Sequence, residues 1–301
     1  MESYQKTVLP SWFKQEIPDQ KAIESMRGLL KEAGLHTVCQ NAHCPNIGEC
    51  WKNNTATFLI LGNICSRSCR FCAVQSGGPL KVNPQEPLQV ALAVKKLGLK
   101  YVVVTSVTRD DLEDKGSRQF ARTIAEIRTL NPDTHIEVLI PDFLNDAQSL
   151  RDVVLASPDV IGHNMEMVKR LYSSVRPQAL YGRSLAVLRT LKKTSSALIK
   201  SGFMVGLGET DEEIKVLIED LAKAGCDILT VGQYLAPSVS KRHVPVSRYV
   251  SLEGFESYRQ YALSMGIKNV VSGPLVRSSF LAEKIFQDCH HQETETIYAT
   301  Q

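Results

Sequence analysis

The sequence predicts an α/β fold: a partial (β/α)6 TIM-like barrel with N- and C-terminal extensions. Three observations carry that expectation. Six apolar, often β-branched runs recur from residue 55 onward, the signature of parallel strands covered on both faces. Helix-period stretches lie between them, so the order is strand, helix, strand. No nucleotide-binding glycine fingerprint follows the first run, which favours a barrel over an open doubly wound sheet. A chain of 301 residues is long enough for one such barrel, or for two smaller domains.

The strand candidates, in order, are TATFLILGN, KYVVVTSV, HIEVLIPD, DVIGHNMEM, ALIKSGFMVG and DILTVGQYL. The intervening helices carry their own punctuation. PLQVALAVKKLG ends at Gly98, a natural C-cap, and SRQFARTIAEIRTL starts on Ser117 and stops at Asn131-Pro132. TDEEIKVLIEDLAKAG opens with Thr210 and Glu213 in capping-box spacing and closes at Gly225. A last helix covers LEGFESYRQYALSMG. The expected division is an N-terminal extension (1–53), a barrel (54–266) and a C-terminal extension (267–301). Chemistry in such a barrel gathers at the C-terminal ends of the strands.

Composition narrows the classes. Apolar content of 43% and charged content of 22% are ordinary for a soluble enzyme. A net charge of +3 makes no case for nucleic acid, although it tolerates an acidic protein partner. No apolar run approaches the ~18 residues of a membrane span. The opening segment, MESYQKTVLPSWFKQEIP, shows no apolar signal core, and its early acidic residues argue against a transit peptide. The expectation is a cytoplasmic protein.

Six of the eight cysteines form two triplets: Cys39, Cys44, Cys50, and Cys65, Cys69, Cys72. In a reducing compartment, clustered cysteines read as ligands or catalysts rather than disulfides. Each triplet offers three soft ligands and lacks a fourth. The second, C-S-R-S-C-R-F-C, follows directly on the first strand, where catalysis belongs. Three thiolates hold three corners of a cubane iron–sulfur cluster and leave one iron open to a small molecule. The alternative is a Cys3His zinc site completed by His36 or His43, although zinc fingers favour paired knuckles over one loop. Cys226 reads as a small packed thiol. Cys289, beside His290 and His291, reads as polar tail or a stray metal contact.

C-S-R-S-C-R-F-C has the spacing, and the aromatic residue before its last cysteine, of the radical S-adenosylmethionine enzymes. The resemblance implies a 4Fe–4S cluster on Cys65, Cys69 and Cys72, with S-adenosylmethionine on the open iron. GFMVGLGET resembles that family's glycine-rich strand near the adenine, which points to Gly206 and Gly208; read alone, it is equally a strand-to-helix turn. GHNMEM places Asn164 and Glu166 at a strand end where related enzymes meet the ribose and amino acid. TSVTRDDL departs from the family's usual glycine-rich segment, and Thr105 is its candidate contact.

The first triplet, with CPNIGECW, TSVTRDDL, SGFMVGLGE, GQYLAPS and GPLVRSSF, resembles the lipoyl synthases from about residue 8 to about residue 282. That family inserts two sulfur atoms, at C6 and C8, into an octanoyl chain on a lysine of a lipoyl carrier domain. The carrier is a dehydrogenase E2 or a glycine-cleavage H protein, and the reductant a ferredoxin or flavodoxin. The resemblance implies a second 4Fe–4S cluster on Cys39, Cys44 and Cys50, completed by Ser279 after Arg277 and Ser278, and acting as sulfur donor. An alkoxide is a harder ligand than thiolate, so that corner should open first as sulfide is consumed. Ser279 reads otherwise as the N-cap of FLAEKIFQ, and Cys289, Cys226 and His43 compete as fourth ligands. Phe280 stands where the family usually has tyrosine. Arg67, Arg70, Arg109, Lys192, Lys193, Lys241 and Arg242 read as solvated surface or as a docking set for an acidic carrier.

Overall fold

A computed structural model describes residues 9–15, 17–53 and 55–289. Asp19 caps helix α1 (Gln20–Glu32) by accepting from the Lys21 and Ala22 amides. Strand β1 (His36–Thr37) leads into α2 (Val38–Asn41) and α3 (Ile47–Lys52), which carry the first cysteine triplet. After β2 (Thr57–Ile60), the short pair β3 (Ile64–Cys65) and β4 (Gln75–Ser76) brackets the second triplet. The alternation then runs α4 (Glu86–Leu97), β5 (Tyr101–Ser106), α5 (Ser117–Leu130) and β6 (His135–Leu139). It continues through α6 (Ala147–Leu155), β7 (Val160–Gly162), α7 (Tyr172–Val175), α8 (Tyr181–Thr194) and β8 (Leu198–Val205). α9 (Asp211–Lys223), β9 (Ile228–Gln233), α10 (Leu252–Ser264) and β10 (Asn269–Gly273) complete it.

All six apolar runs form strands of one sheet, ordered β1-β2-β5-β6-β7-β8-β9-β10. Every pairing is parallel except β1 with β2. The two edge strands come from outside those runs: β1 is two residues long, and β10 mixes Asn and Ser with valine. The ends of the order do not pair, so the barrel is partial. The helix signals act as written. Gly98 sits in the left-handed region at φ +65°, and both arms of the Thr210–Glu213 capping box form. α5 does begin at Ser117, with Gly116 in the capping position before it.

A second feature was not legible in the strand pattern. Residues 282–289 are helical, and Ala282, Ile285, Phe286 and Cys289 pack with Tyr101, Val103, Val160 and Ile228 of β5, β7 and β9. Tyr101, Val103 and Thr105 alternate onto one face of β5, and Thr105 lines the central cavity. The C-terminal segment therefore enters the concave side of the sheet and fills the floor of the barrel. Cys289 is buried there, not in a polar tail; His290 and His291 lie outside the described residues. Among the described residues no helix is long and apolar enough to cross a membrane.

Candidate active site

One cavity of about 460 Å³ opens at the C-terminal ends of the strands, and all six triplet cysteines line it. So do Thr105, Asn164, Glu166, Arg277, Ser278 and Ser279. Among the described residues no three His, Cys, Asp or Glu side chains gather closely enough for a single metal ion. Two cysteine triplets lining one cavity suit something larger than an ion.

The first triplet is built by short helices. Thr37 caps α2 and so sets Cys39; the Cys44 amide donates to the Cys39 carbonyl at 3.0 Å, and Cys50 lies in α3. Burial pushes the Cys39 and Cys44 thiols up, and pushes Cys50 to about 12 with help from the neighbouring Cys39 and Cys44. Added positive charge would favour the thiolate forms of these desolvated sulfurs, and iron would supply it. Ser279 lines the same cavity. The helix after it begins at residue 282, where the Leu281 carbonyl accepts the Ile285 amide, so Ser279 is not its N-cap. Cys226, whose thiol donates to the Ile228 carbonyl at 3.0 Å, and Cys289 are core residues off the cavity wall.

The second triplet sits in a loop pinned from several sides. Cys65 Sγ accepts the backbone amides of Arg67 (3.4 Å) and Thr108 (3.3 Å), contacts that favour a metal-bound sulfur. Arg67 donates to Asp110 through Nε and to Asp142 through Nη2. His243 Nε2 donates to the Cys72 carbonyl, and the Arg70 carbonyl accepts the Val244 amide. Burial raises the Cys69 thiol against the nearby Arg176 charge, and takes Cys72 to about 12.

Beyond these sulfurs the wall turns polar. Glu166 is half-buried, its backbone held at φ +68°, and desolvation raises its carboxyl against the attraction of Arg176. Arg176 Nη1 reaches the Met165 carbonyl, while its Nε is buried without a hydrogen-bond partner among the described residues. His163 Nδ1 lies 3.0 Å from the Ile140 carbonyl. A carbonyl only accepts, so Nδ1 carries the proton and Nε2, buried and without a hydrogen-bond partner among the described residues, is an acceptor on the cavity wall. Thr105 Oγ1 donates to the Leu139 carbonyl at 2.9 Å. These orphaned atoms suit a zwitterionic ligand with hydroxyls.

Gly206 and Gly208 are not on that wall. Both have positive φ, and Glu209 closes their turn by accepting the Gly206 and Leu207 amides. A Cβ on Gly206 would collide with the Gln233 side chain. Arg176, His163, Asp142 and Asn46 escaped the sequence reading, because each takes its meaning from a distant partner. The docking set is corrected in part: Arg67 and Arg109 are buried and paired with aspartates. Lys192 pairs with Asp227 before β9, at the opposite end of the barrel, and Lys193 is beside it. Arg70, Lys241 and Arg242 remain exposed over the cysteine loop.

The sequence matches the Radical SAM superfamily over residues 59–221. It is 53% identical over 280 residues to the lipoyl synthase of Caldicellulosiruptor saccharolyticus, covering 93% of this chain and 98% of that one. Against the lipoyl synthase of Rubrobacter xylanophilus it is 51% identical, covering 93% and 87%. The chain belongs to the lipoyl synthase family. For a member of the lipoyl synthase family, the fold also agrees with solved structures. The crystal structure of Streptococcus suis SuiB bound to S-adenosylmethionine matches with TM-score 0.55 at 12% identity, covering 84% of this chain and 60% of that one. HydG, a maturase of the [FeFe]-hydrogenase, matches at 0.51 and 13%, covering 86% and 62%.

Proposed function

We propose that the chain converts a protein-bound octanoyl-lysine into the lipoyl group by radical insertion of two sulfur atoms, at C6 and C8. The observation that carries this reading is that both cysteine triplets line one cavity, so radical generation and sulfur delivery face the same space. Cys65, Cys69 and Cys72 would hold one 4Fe–4S cluster; Cys39, Cys44, Cys50 and Ser279 would hold the other. When bound, the clusters and S-adenosylmethionine supply the one-electron chemistry and the sulfur.

The remaining work falls to this chain's own residues. Arg176 offers a buried cation to the carboxylate of S-adenosylmethionine, and Glu166, Asn164 and Thr105 offer polar groups to its amine and ribose. His163 Nε2 adds a neutral acceptor. Gly206 and Gly208 act through the turn that shapes the end of β8. Val107, Ile140, Met204, Tyr234 and Leu235 give the cavity an apolar lining that suits an eight-carbon chain and keeps water from a reactive centre.

The substrate is an octanoylated carrier protein, and a reductant is required. A dehydrogenase E2 domain or a glycine-cleavage H protein suits the first role, a ferredoxin or flavodoxin the second, all in the cytoplasm. The test is anaerobic reconstitution followed by reaction with an octanoylated carrier, S-adenosylmethionine and a reductant. The expected result is a lipoyl carrier with two 5′-deoxyadenosine molecules per lipoyl group. Absence of both products from a chain holding both clusters overturns the reading.

A further inference from the structure

The segment that carries Ser279 is fixed at three points. Asn46, between Cys44 and Cys50 and only 1% exposed, donates from Nδ2 to the Leu275 carbonyl at 2.7 Å. One residue on, the Val276 carbonyl presses against β9 where Gly232 has no side chain; a Cβ there would collide with it. Then Asn164 Nδ2 donates to Ser278 Oγ at 2.7 Å. Gly202 of β8 faces that bond: a Cβ there would collide with Thr230 Oγ1 and would crowd Asn164 Oδ1 and Ser278 Oγ, each 3.2 Å away. Finally, the Phe280 amide donates to the Arg277 carbonyl at 3.0 Å, closing a turn with Ser278 and Ser279 at its centre.

We infer that Asn164 and Ser278 are a positioning pair: Asn164, through Ser278, sets where the Ser279 hydroxyl points toward the first cysteine triplet. The inference rests on the reading that Ser279 completes the auxiliary cluster. Two residues sharing one tight turn cannot move independently, so an anchor on the first fixes the second. Asn164 stands two residues from Glu166 at the end of β7, on the side assigned to S-adenosylmethionine. One of its two amide N–H groups is therefore committed to the serine turn, and the Asn164 side chain also hydrogen-bonds the Glu166 carboxyl. Its Oδ1, buried and without a hydrogen-bond partner among the described residues, is the end left for a cofactor.

The test uses the anaerobically reconstituted full chain, with Mössbauer spectra of the clusters and the dissociation constant of S-adenosylmethionine as readouts. Ser279→Ala, Ser278→Ala, Ser278→Thr, Asn164→Ala and the double variant Asn164→Ala with Ser278→Ala are compared. Ser278→Ala is expected to shift the auxiliary-cluster signal in the direction Ser279→Ala does, with the other cluster and the dissociation constant unchanged. Ser278→Thr, which keeps the hydroxyl, should restore the signal, and the double variant should shift it no further than Ser278→Ala. If Ser279→Ala changes the signal and Ser278→Ala does not, the positioning pair is overturned while the ligand reading stands. A lower melting temperature with an unchanged spectrum overturns it too, as a purely structural role. If Ser279→Ala leaves the signal unchanged, the ligand reading fails and takes the inference with it.

Discussion

Arg67 Nη2 lies 2.6 Å from Asp142 Oδ1, with 4% and 0% of the two side chains exposed. Arg67 sits between Cys65 and Cys69, and Asp142 follows β6, so one ion pair fastens the cysteine loop to the barrel. Arg183 takes the other oxygen of Asp142 at 2.8 Å, and Asp142 also accepts the Leu144 amide.

Asp142→Asn should therefore loosen the loop. Removing one partner of a buried pair costs about 3–5 kcal/mol, and disturbing the support of metal ligands costs roughly 10–100-fold in affinity or activity. Burial acts to raise the Asp142 carboxyl, but the Arg67 hydrogen bonds and charge outweigh it and hold it well below the usual carboxylate range. Its contribution is thus complete above about pH 4 and is lost only as pH falls through the lowered folded value. Thermal melts and iron content of the variant check this; wild-type values for both would sink it.

His163 gives the opposite end of the acid profile. Burial holds it down from 6.5 to about 4, so between those values the unfolded chain binds the proton and the folded chain does not. Stability should fall with pH across that window, by up to about 3 kcal/mol. Urea titrations of His163→Phe should show a shallower slope than the parent between pH 6.5 and 4; equal slopes refute the assignment.

Gly232→Ala should push the C-terminal segment off the barrel. Its methyl group would meet backbone, the Val276 carbonyl, which cannot swing aside. Overpacking of this kind costs about 1–3 kcal/mol. Limited proteolysis after residue 274 should become faster, while the Cys65–Cys72 loop still takes up iron. An unchanged cleavage rate would count against the packing argument.

Ser279→Cys should keep the auxiliary cluster and lose sulfur insertion, since thiolate holds iron more firmly than alkoxide. Mass spectrometry of the carrier reads the outcome; full lipoyl formation by a loaded variant would defeat it.

Lys241→Glu probes carrier docking without disturbing the loop, because Arg70 and Arg242 spend their guanidinium groups on backbone carbonyls. The expected result is a higher KM for an acidic carrier, most marked at low salt, with unchanged cleavage of S-adenosylmethionine. An unaltered KM at low ionic strength removes Lys241 from the interface.

How much of this was readable depends on how local the cause is. The six parallel strands of the barrel wall announced themselves because a strand covered on both faces must be apolar throughout; β10 did not, because Asn269 and Ser272 leave it only two consecutive valines. Cys65 was placeable from sequence because it follows the first barrel strand within five residues, although it lies in the separate short strand β3. Arg67 and Asp142, 75 residues apart, each look like solvated charge until the fold joins them. Glycines drew attention at positions 206 and 208, where they only shape a turn. Gly232, inside a strand, makes room for the Val276 carbonyl of the serine segment, and an interior strand glycine is a signal for close backbone approach.

The Asn46–Leu275 bond joins positions 229 residues apart, and this sets a timetable. At about 5–20 residues per second of synthesis, tens of seconds separate the two partners. Throughout that interval the first triplet has neither its floor nor Ser279, and its thiols stand beside an unfinished cavity. Any loading of the first triplet that needs Ser279 would then wait until residues 275–279 have been made. The late-made Leu275 segment is the one that closes over the early-made triplet.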